Sequence, residues 1–317
     1  MAAIELEGVT KRYGDVTAVR DLDLTVEEGE VFGFLGPNGA GKSTTINMLL
    51  DFVRPTSGTV RVLSRDAQAE SVEVRRHTGV LPEGYDVYDR LTGRKHIEFA
   101  MRSKDVEGDP DAMLERVGIA DAADRRAGGY SKGMRQRLVL GMALVGDPDL
   151  LVLDEPSSGL DPAGAKEMRE IVRGEADRGA TVFFSSHVLG QVEAVCDRVG
   201  IMREGELVAE DSIQGLREAV GGEAQLVVTV DAASEEDLEA VRALSGVSSA
   251  ATDGGTVTVS CSDDAKTQVI GALEDAGVTV KDFSTQEASL EDLFLTYAED
   301  GEAGASAHDA VNAEVSE

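Results

Sequence analysis

Two short runs carry the residue types that phosphate chemistry requires. Gly36-Pro37-Asn38-Gly39-Ala40-Gly41-Lys42-Ser43-Thr44 follows the apolar run VFGFL and precedes TTINMLLDF, a stretch that reads as helix. Glycines at this spacing let successive backbone N–H groups curl around a β-phosphate, and the helix that follows offers the same anion its positive end. Lys42 would reach the β- and γ-phosphates, and the Ser43 hydroxyl would ligate Mg2+. The bland alternative is a Gly-rich turn, and the strand, Lys42 and Ser43 together weigh against it. The second run, Leu150-Leu151-Val152-Leu153-Asp154-Glu155-Pro156, is an apolar strand ending in two acids. Asp154 would hold Mg2+, usually through water, and Glu155 would take the proton of an attacking water. Alone, such a pair reads equally well as solvated acids at a strand end; beside a phosphate loop it reads as catalytic.

These side chains need a frame. AIELEGVT and TAVRDLDLTVEEGE alternate as strands, and a turn at Gly29 leads into VFGFLG. Leu150 to Leu153 and Thr181 to Phe184 read as fully buried parallel strands entered from Gly or Pro turns. HIEFAMRSKD, DAMLERVGI and MRQRLVLGMALVG have helical spacing, which predicts an inserted helical subdomain over about 88–145. A domain boundary is expected at Val220-Gly221-Gly222, giving a first domain over 1–220. Residues 222–300 then read strand, helix, a hairpin turning at Asp253-Gly254-Gly255, helix and strand: the βαββαβ order of a ferredoxin-like α+β domain. A last helix at SLEDLFLTYAED, with Leu290, Leu293 and Phe294 on one face, is expected to pack on it. Residues 301–317 hold acids, Ala and Gly without Lys or Arg, and read as a disordered tail.

The chain has 317 residues, 30 Lys and Arg against 60 Asp and Glu, and a net charge of −30. Its 42% hydrophobic content excludes disorder throughout. No run approaches the ~18 apolar residues of a membrane helix, and the start, MAAIELEGVT, lacks a secretion signal, so a cytosolic chain is expected. Cys196 and Cys261 read as reduced thiols, too few for a disulfide framework. The excess of acids over the whole length weighs against direct nucleic-acid binding, which rests on clustered Lys and Arg.

Between the two chemical runs lies Tyr130-Ser131-Lys132-Gly133-Met134-Arg135-Gln136, and with it the chain resembles an ATP-binding cassette (ABC) transporter subunit. The resemblance covers roughly residues 2 to 220 and implies a P-loop NTPase fold with a parallel core sheet, an antiparallel β subdomain and a helical subdomain. Ser131 and Gly133 match the family's LSGGQ signature, whereas Tyr130, Lys132 and Met134 depart from it. The form YSKGMRQRL resembles the export-type subgroup that includes drug-resistance transporters. In the family the signature grips the γ-phosphate of ATP held by a partner cassette, so the resemblance implies a head-to-tail dimer working with a separate membrane permease at the cytoplasmic face of the membrane. A Ser-capped helix is the structural alternative for this motif.

The resemblance also implies that Asp161, in Ser157-Ser158-Gly159-Leu160-Asp161-Pro162, is a dimer contact, and that His187 holds the γ-phosphate and attacking water with Glu155. It makes Tyr13, beside Gly14, the ring that stacks on adenine, although strand packing would also account for it. Glu83, in Leu81-Pro82-Glu83, stands where most cassettes carry a Gln that touches Mg2+ and senses the permease. A carboxylate can ligate Mg2+ as well, or be a solvated loop acid. His77, His96 and His308 read as surface residues. The implied activity is ATP hydrolysis with ATP and Mg2+, energising export; the competing reading is a soluble ABC-type ATPase acting on nucleic acid, ribosomes or cluster assembly. The acid excess resembles that of proteins from salt-loving organisms, because salt screens self-repulsion. We expect thermal unfolding to shift upward from dilute buffer to multimolar salt; equal stability in both would contradict a salt-adapted surface.

Overall fold

The computed structural model describes residues 1–219 and 225–286. Alternating apolar and polar residues make β1 (Ala2–Tyr13) and β2 (Val16–Glu27) long antiparallel partners, followed by the wholly buried β3 (Val31–Leu35). Then come α1 (Lys42–Leu49), β4 (Ser57–Val62), β5 (Arg65–Asp66), α2 (Ser71–Arg76) and β6 (Thr78–Leu81). The helical stretch holds α3 (Gly93–Lys104), α4 (Pro110–Arg116) and α5 (Lys132–Leu144). It is followed by β7 (Leu150–Asp154), α6 (Pro162–Ala176), β8 (Thr181–Ser186), α7 (Leu189–Glu193), β9 (Arg198–Arg203) and β10 (Glu206–Ser212).

One sheet runs β2-β1-β4-β5 and is antiparallel; the other runs β10-β9-β3-β8-β7-β6. In the second sheet β9, β3, β8, β7 and β6 are parallel and only β10 runs against its neighbour. A single core joins the sheets: Ile4, Leu6, Leu22 and Leu24 of the first pack in one cluster with Phe32, Phe34 and Phe183 of the second. Phe32 and Phe183 stack with ring centroids 5.9 Å apart, a geometry that adds to their burial. Every residue of β7 and β8 is buried, as the apolar runs Leu150–Leu153 and Val182–Phe184 at their centres require of strands covered on both faces.

The helices of the inserted subdomain start at side-chain caps. Thr92 accepts from the Lys95 amide, Asp109 from Asp111 and Ser131 from Met134. The buried carboxylate of Glu175 on α6, 2% exposed, pairs with Arg116 of α4 and with Arg178. Removing either charge from such a pair leaves the other stranded in the interior, which makes this contact a strong tie between the helical stretch and α6.

The chain divides by contacts into Met1–Ile213 and Gln214–Glu317. The second unit opens with α8 (Ile213–Ala219), one residue shared with the first, and continues with β11 (Gln225–Val230), α9 (Glu239–Arg242), β12 (Val247–Thr252), β13 (Thr256–Cys261), α10 (Lys266–Asp275) and β14 (Val280–Gln286). Its antiparallel sheet has the order β12-β13-β11-β14, the arrangement of a ferredoxin-like βαββαβ unit. Leu226, Val228, Val257 and Val259 face Val241 of α9 and Val269 and Leu273 of α10. At the expected hairpin, Gly254 has φ 93° and Asp253 Oδ1 accepts from the Gly255 and Thr256 amides. The first helix is shorter than SEEDLEAVRAL suggests: 235–238 form turns and the helix spans Glu239–Arg242. The boundary at Val220-Gly221-Gly222, the helix at SLEDLFLTYAED and the tail 301–317 lie outside the described residues.

Candidate functional site

Parallel pairing settles where the chemistry can occur. Leu35 pairs with Ser186, Asp154 with Ser185, and Leu81 with Leu153, so β3, β8, β7 and β6 all end at one edge. Open α/β sheets bind ligands at that edge. Here it receives the phosphate loop after β3, His187 after β8, Glu155 after β7 and Glu83 after β6. A pocket of about 350 Å3 opens there, lined by Asn38, Gly39, Gly41, Lys42, Ser43, Thr44, Glu83, Asp154, Glu155 and Ala18.

Backbone geometry explains the glycines. Gly41 caps α1 with φ 109°, a value few L side chains adopt, and a β-carbon there would meet the Ala18 carbonyl. A β-carbon on Gly36 would collide with the Met202 carbonyl. Lys42 is 6% exposed, and its Nζ donates to the carbonyls of Gly36 at 2.6 Å and Pro37 at 3.2 Å. The same ammonium lies 3.9 Å from Glu155 Oε1. Burial pushes the Lys42 pKa down, while the carboxylates of Glu155, Asp154 and Glu83 pull it back.

Glu155 stands at φ 51°, a left-handed conformation that is strained for a glutamate and aims its side chain from the strand end into the pocket. Its amide donates to the Ser185 carbonyl at 3.2 Å and to Ser185 Oγ at 3.3 Å. Oε1 lies 2.9 Å from His187 Nδ1, where the carboxylate accepts and the ring N–H donates; Oε2 is buried without a partner. Asp154 is 7% exposed and accepts a short hydrogen bond from the Ser185 hydroxyl.

Lys42, Ser43, Glu83, Asp154, Glu155 and His187 are thus brought together, along with most of the phosphate loop. The other expected residues stand apart from this pocket. Ser131 is exposed and caps α5, with Gly133 in the first turn of that helix. Asp161 is exposed and caps α6, accepting from the Gly164 amide at 2.7 Å. Tyr13, at the end of β1, is 49% exposed, with the Lys11 ammonium 4.9 Å over its ring.

Two residues at the site, Ser185 and Ala18, were not singled out from the sequence. Ser185 is fully buried and holds both Asp154 and the Glu155 backbone; only its place in TVFFSS, paired with the acid-bearing strand, could have signalled it. Ala18 lines the pocket from the antiparallel sheet. His96 is a correction: expected on the surface, it is 1% exposed. Its Nε2 accepts from the Tyr88 amide at 3.0 Å and its Nδ1 donates to the Thr92 carbonyl at 2.8 Å, so both ring nitrogens pin the loop before α3. His77 is exposed beside Asp149, and His308 lies outside the described residues. Cys196 and Cys261 are buried and not in a disulfide, and burial pushes the Cys196 thiol far up.

A nucleotide-binding cassette fold with a phosphate loop and a strand-end carboxylate pair is what these elements define, and comparison with known proteins agrees. Residues 19–158 match the family described as ABC transporter, and residues 212–298 match the ATP-binding protein DrrA1-3-like C-terminal domain. The daunorubicin resistance ATP-binding protein DrrA3 of Streptomyces coeruleorubidus is 34% identical over 92% of this chain and 95% of its own. The bacitracin transport ATP-binding protein BcrA of Bacillus licheniformis is 40% identical over 65% of this chain and 69% of its own. A solved dimer of the ATP-binding cassette MJ0796, bound to ADP and Pi in a post-hydrolysis state, matches in fold with a TM-score of 0.60 at 23% identity, over 66% of this chain and 98% of that one. The chain belongs to the ATP-binding proteins of ABC transporters, the ATP-hydrolysing subunits of that family.

Lys42→Ala should weaken ATP binding about tenfold or more, since a hydrogen bond to a charged group contributes ~1.5–3 kcal/mol. Glu155→Gln should keep ATP binding and lower phosphate release by roughly 10²–10⁴-fold, the range of a lost general base. Nucleotide titration and steady-state phosphate release check both; unchanged affinity in the first or unchanged turnover in the second contradicts the assignment.

Proposed function

We propose that this cassette powers export through a separate membrane permease by closing on ATP head to tail with a second cassette. The observation that carries this is the division of the site. Lys42, Asp154 and Glu155 share a pocket, whereas Ser131, Gly133 and Asp161 lie outside it, with Ser131 and Asp161 exposed at helix starts. Two copies arranged head to tail would put the phosphate loop of each against the Ser131 turn of the other, with Asp161 at the contact. Tyr13, exposed at the end of β1, would stack on adenine with a stabilisation of about 1–3 kcal/mol, as rings do on other bases.

In hydrolysis the oxygen of a water bonds to the γ-phosphorus, the bond from that phosphorus to the β–γ bridging oxygen breaks, and ADP leaves with those electrons. Glu155 takes the proton of the water, with His187 orienting its carboxylate. Lys42 neutralises the β- and γ-phosphate oxygens. The donor set fits Mg2+: the exposed Ser43 hydroxyl, Asp154 and Glu83 line the same pocket, and no cluster of three or more His, Cys, Asp or Glu among the described residues would hold a metal alone. Such a shared set suits an ion that takes its remaining ligands from phosphate and water, and when bound it supplies charge neutralisation at the phosphates. Loss of the γ-phosphate removes the ligand common to both copies and biases the pair toward opening.

Among the described residues no helix is long and apolar enough to cross a membrane; the reading assigns passage of the transported molecule to the permease. The loop at 85–92 and α3 offer that chain a contact surface: Tyr88 is 66% exposed and stacked on His96, and Phe99 is 53% exposed. The drug-resistance and bacitracin-transport relatives favour this reading over a soluble ATPase acting on nucleic acid. Tagged Glu155→Gln protein, purified in gentle detergent with ATP and high salt, should carry a polytopic membrane protein with it. Recovery of soluble partners or nucleic acid alone would overturn the membrane assignment.

A further inference from the structure

The first turns of α5 touch the catalytic loop of their own chain. Gln136 is 2% exposed, and its Nε2 donates a short hydrogen bond to the carbonyl oxygen of Pro156, the residue after Glu155. Ser131 caps the same 13-residue helix that holds Gln136, so a displacement at Ser131 is carried to Gln136 through a continuous backbone ladder. Lys132 adds a second tie. Its ammonium packs against Gly159, where a β-carbon would collide with it, and Gly159 has φ 65°.

The residues between these ties are poised. Glu155 is strained at φ 51° and held from β8 by Ser185, while Gln136 holds the next carbonyl from the opposite element. Three buried polar atoms here, Glu155 Oε2, Ser157 Oγ and Gln136 Oε1, have no hydrogen-bond partner. Unsatisfied buried groups are unfavourable, so a small shift that paired them would be favoured. A cleft of about 370 Å3, lined by Glu83, Tyr85, Lys132, Gln136, Glu155 and Ser158 among others, gives room for one.

We propose that Gln136 is a positioning residue for hydrolysis, aligning Glu155 through the Pro156 carbonyl in response to the engagement of Ser131 with the partner's nucleotide. The inference rests on the catalytic assignment of Glu155 and the head-to-tail arrangement. It couples the two sites of a dimer. Nucleotide bound by one copy sets the signature turn of the second, and that turn sets the carboxylate with which the second copy hydrolyses its own nucleotide.

The test uses the full-length protein with Gln136→Met, which keeps the shape and loses the amide, and Gln136→Glu, which keeps a donor only when protonated. In the Met variant ATP affinity should be unchanged and turnover at saturating ATP lowered on the order of tenfold to a hundredfold, the effect of a slightly misplaced catalytic group. Sigmoidal dependence on ATP should become hyperbolic. The Glu variant, relative to the unaltered chain at each pH, should recover as pH is lowered from about 8 to about 6, the range into which burial raises a glutamate. Unaltered turnover and sigmoidicity in the Met variant, or a flat pH ratio in the Glu variant, would overturn the proposal. So would loss of turnover accompanied by weakened ATP binding, which would make Gln136 a packing residue. Glu155→Gln measured alongside separates the two levels: full turnover there rejects the catalytic assignment itself, whereas its loss beside a normal Gln136→Met rejects only the coupling.

Discussion

A buried ammonium is unfavourable unless acceptors and opposite charge reach it: Lys42, 6% exposed, donates to the carbonyls of Gly36 and Pro37 and has Glu155 at 3.9 Å from the end of a different strand. That requirement organises the first unit. β7 must lie beside β8 and β8 beside β3, all parallel, for the carboxylates and the phosphate loop to meet. The wholly apolar runs of β3 and β7 follow from it, since strands inside such a sheet are covered on both faces. The arrangement concentrates a cation and three carboxylates in one pocket, a net negative cluster that a divalent cation would offset.

The same geometry explains why some of the expected contacts lie elsewhere. Ser131 and Asp161 both occupy N-cap positions, each accepting a backbone hydrogen bond from the first turn of a helix. Capping and phosphate binding draw on the same feature, an exposed helix start with free amides, and the two roles are compatible. The buried Arg116–Glu175 pair fixes α4 against α6, so the helix that Asp161 caps and the subdomain that carries Ser131 are joined within one chain.

Much of this was legible in the sequence because it is local. Glycines before Lys42, an apolar run ending in Asp154 and Glu155, and a cap residue before a helix are all properties of a few consecutive residues. The ferredoxin-like order after residue 222 was legible for the same reason, through alternation and the Asp253-Gly254-Gly255 turn. What escaped depends on partners distant in sequence. Ser185 matters because register sets it opposite Asp154, Gln136 because α5 passes the Pro156 carbonyl, and His96 because the 85–92 loop folds back over it. The helix expected over SEEDLEAVRAL came out short, with turns over 235–238 before Glu239–Arg242.

The central claim is that the γ-phosphate of ATP is a ligand shared by two copies of this chain. Sedimentation velocity of the Glu155→Gln protein in high salt, with Mg2+ and either ATP or ADP, tests it most directly. The account predicts a dimer with ATP and a monomer with ADP. The same sedimentation coefficient with both nucleotides, while each is shown to be bound, would contradict it.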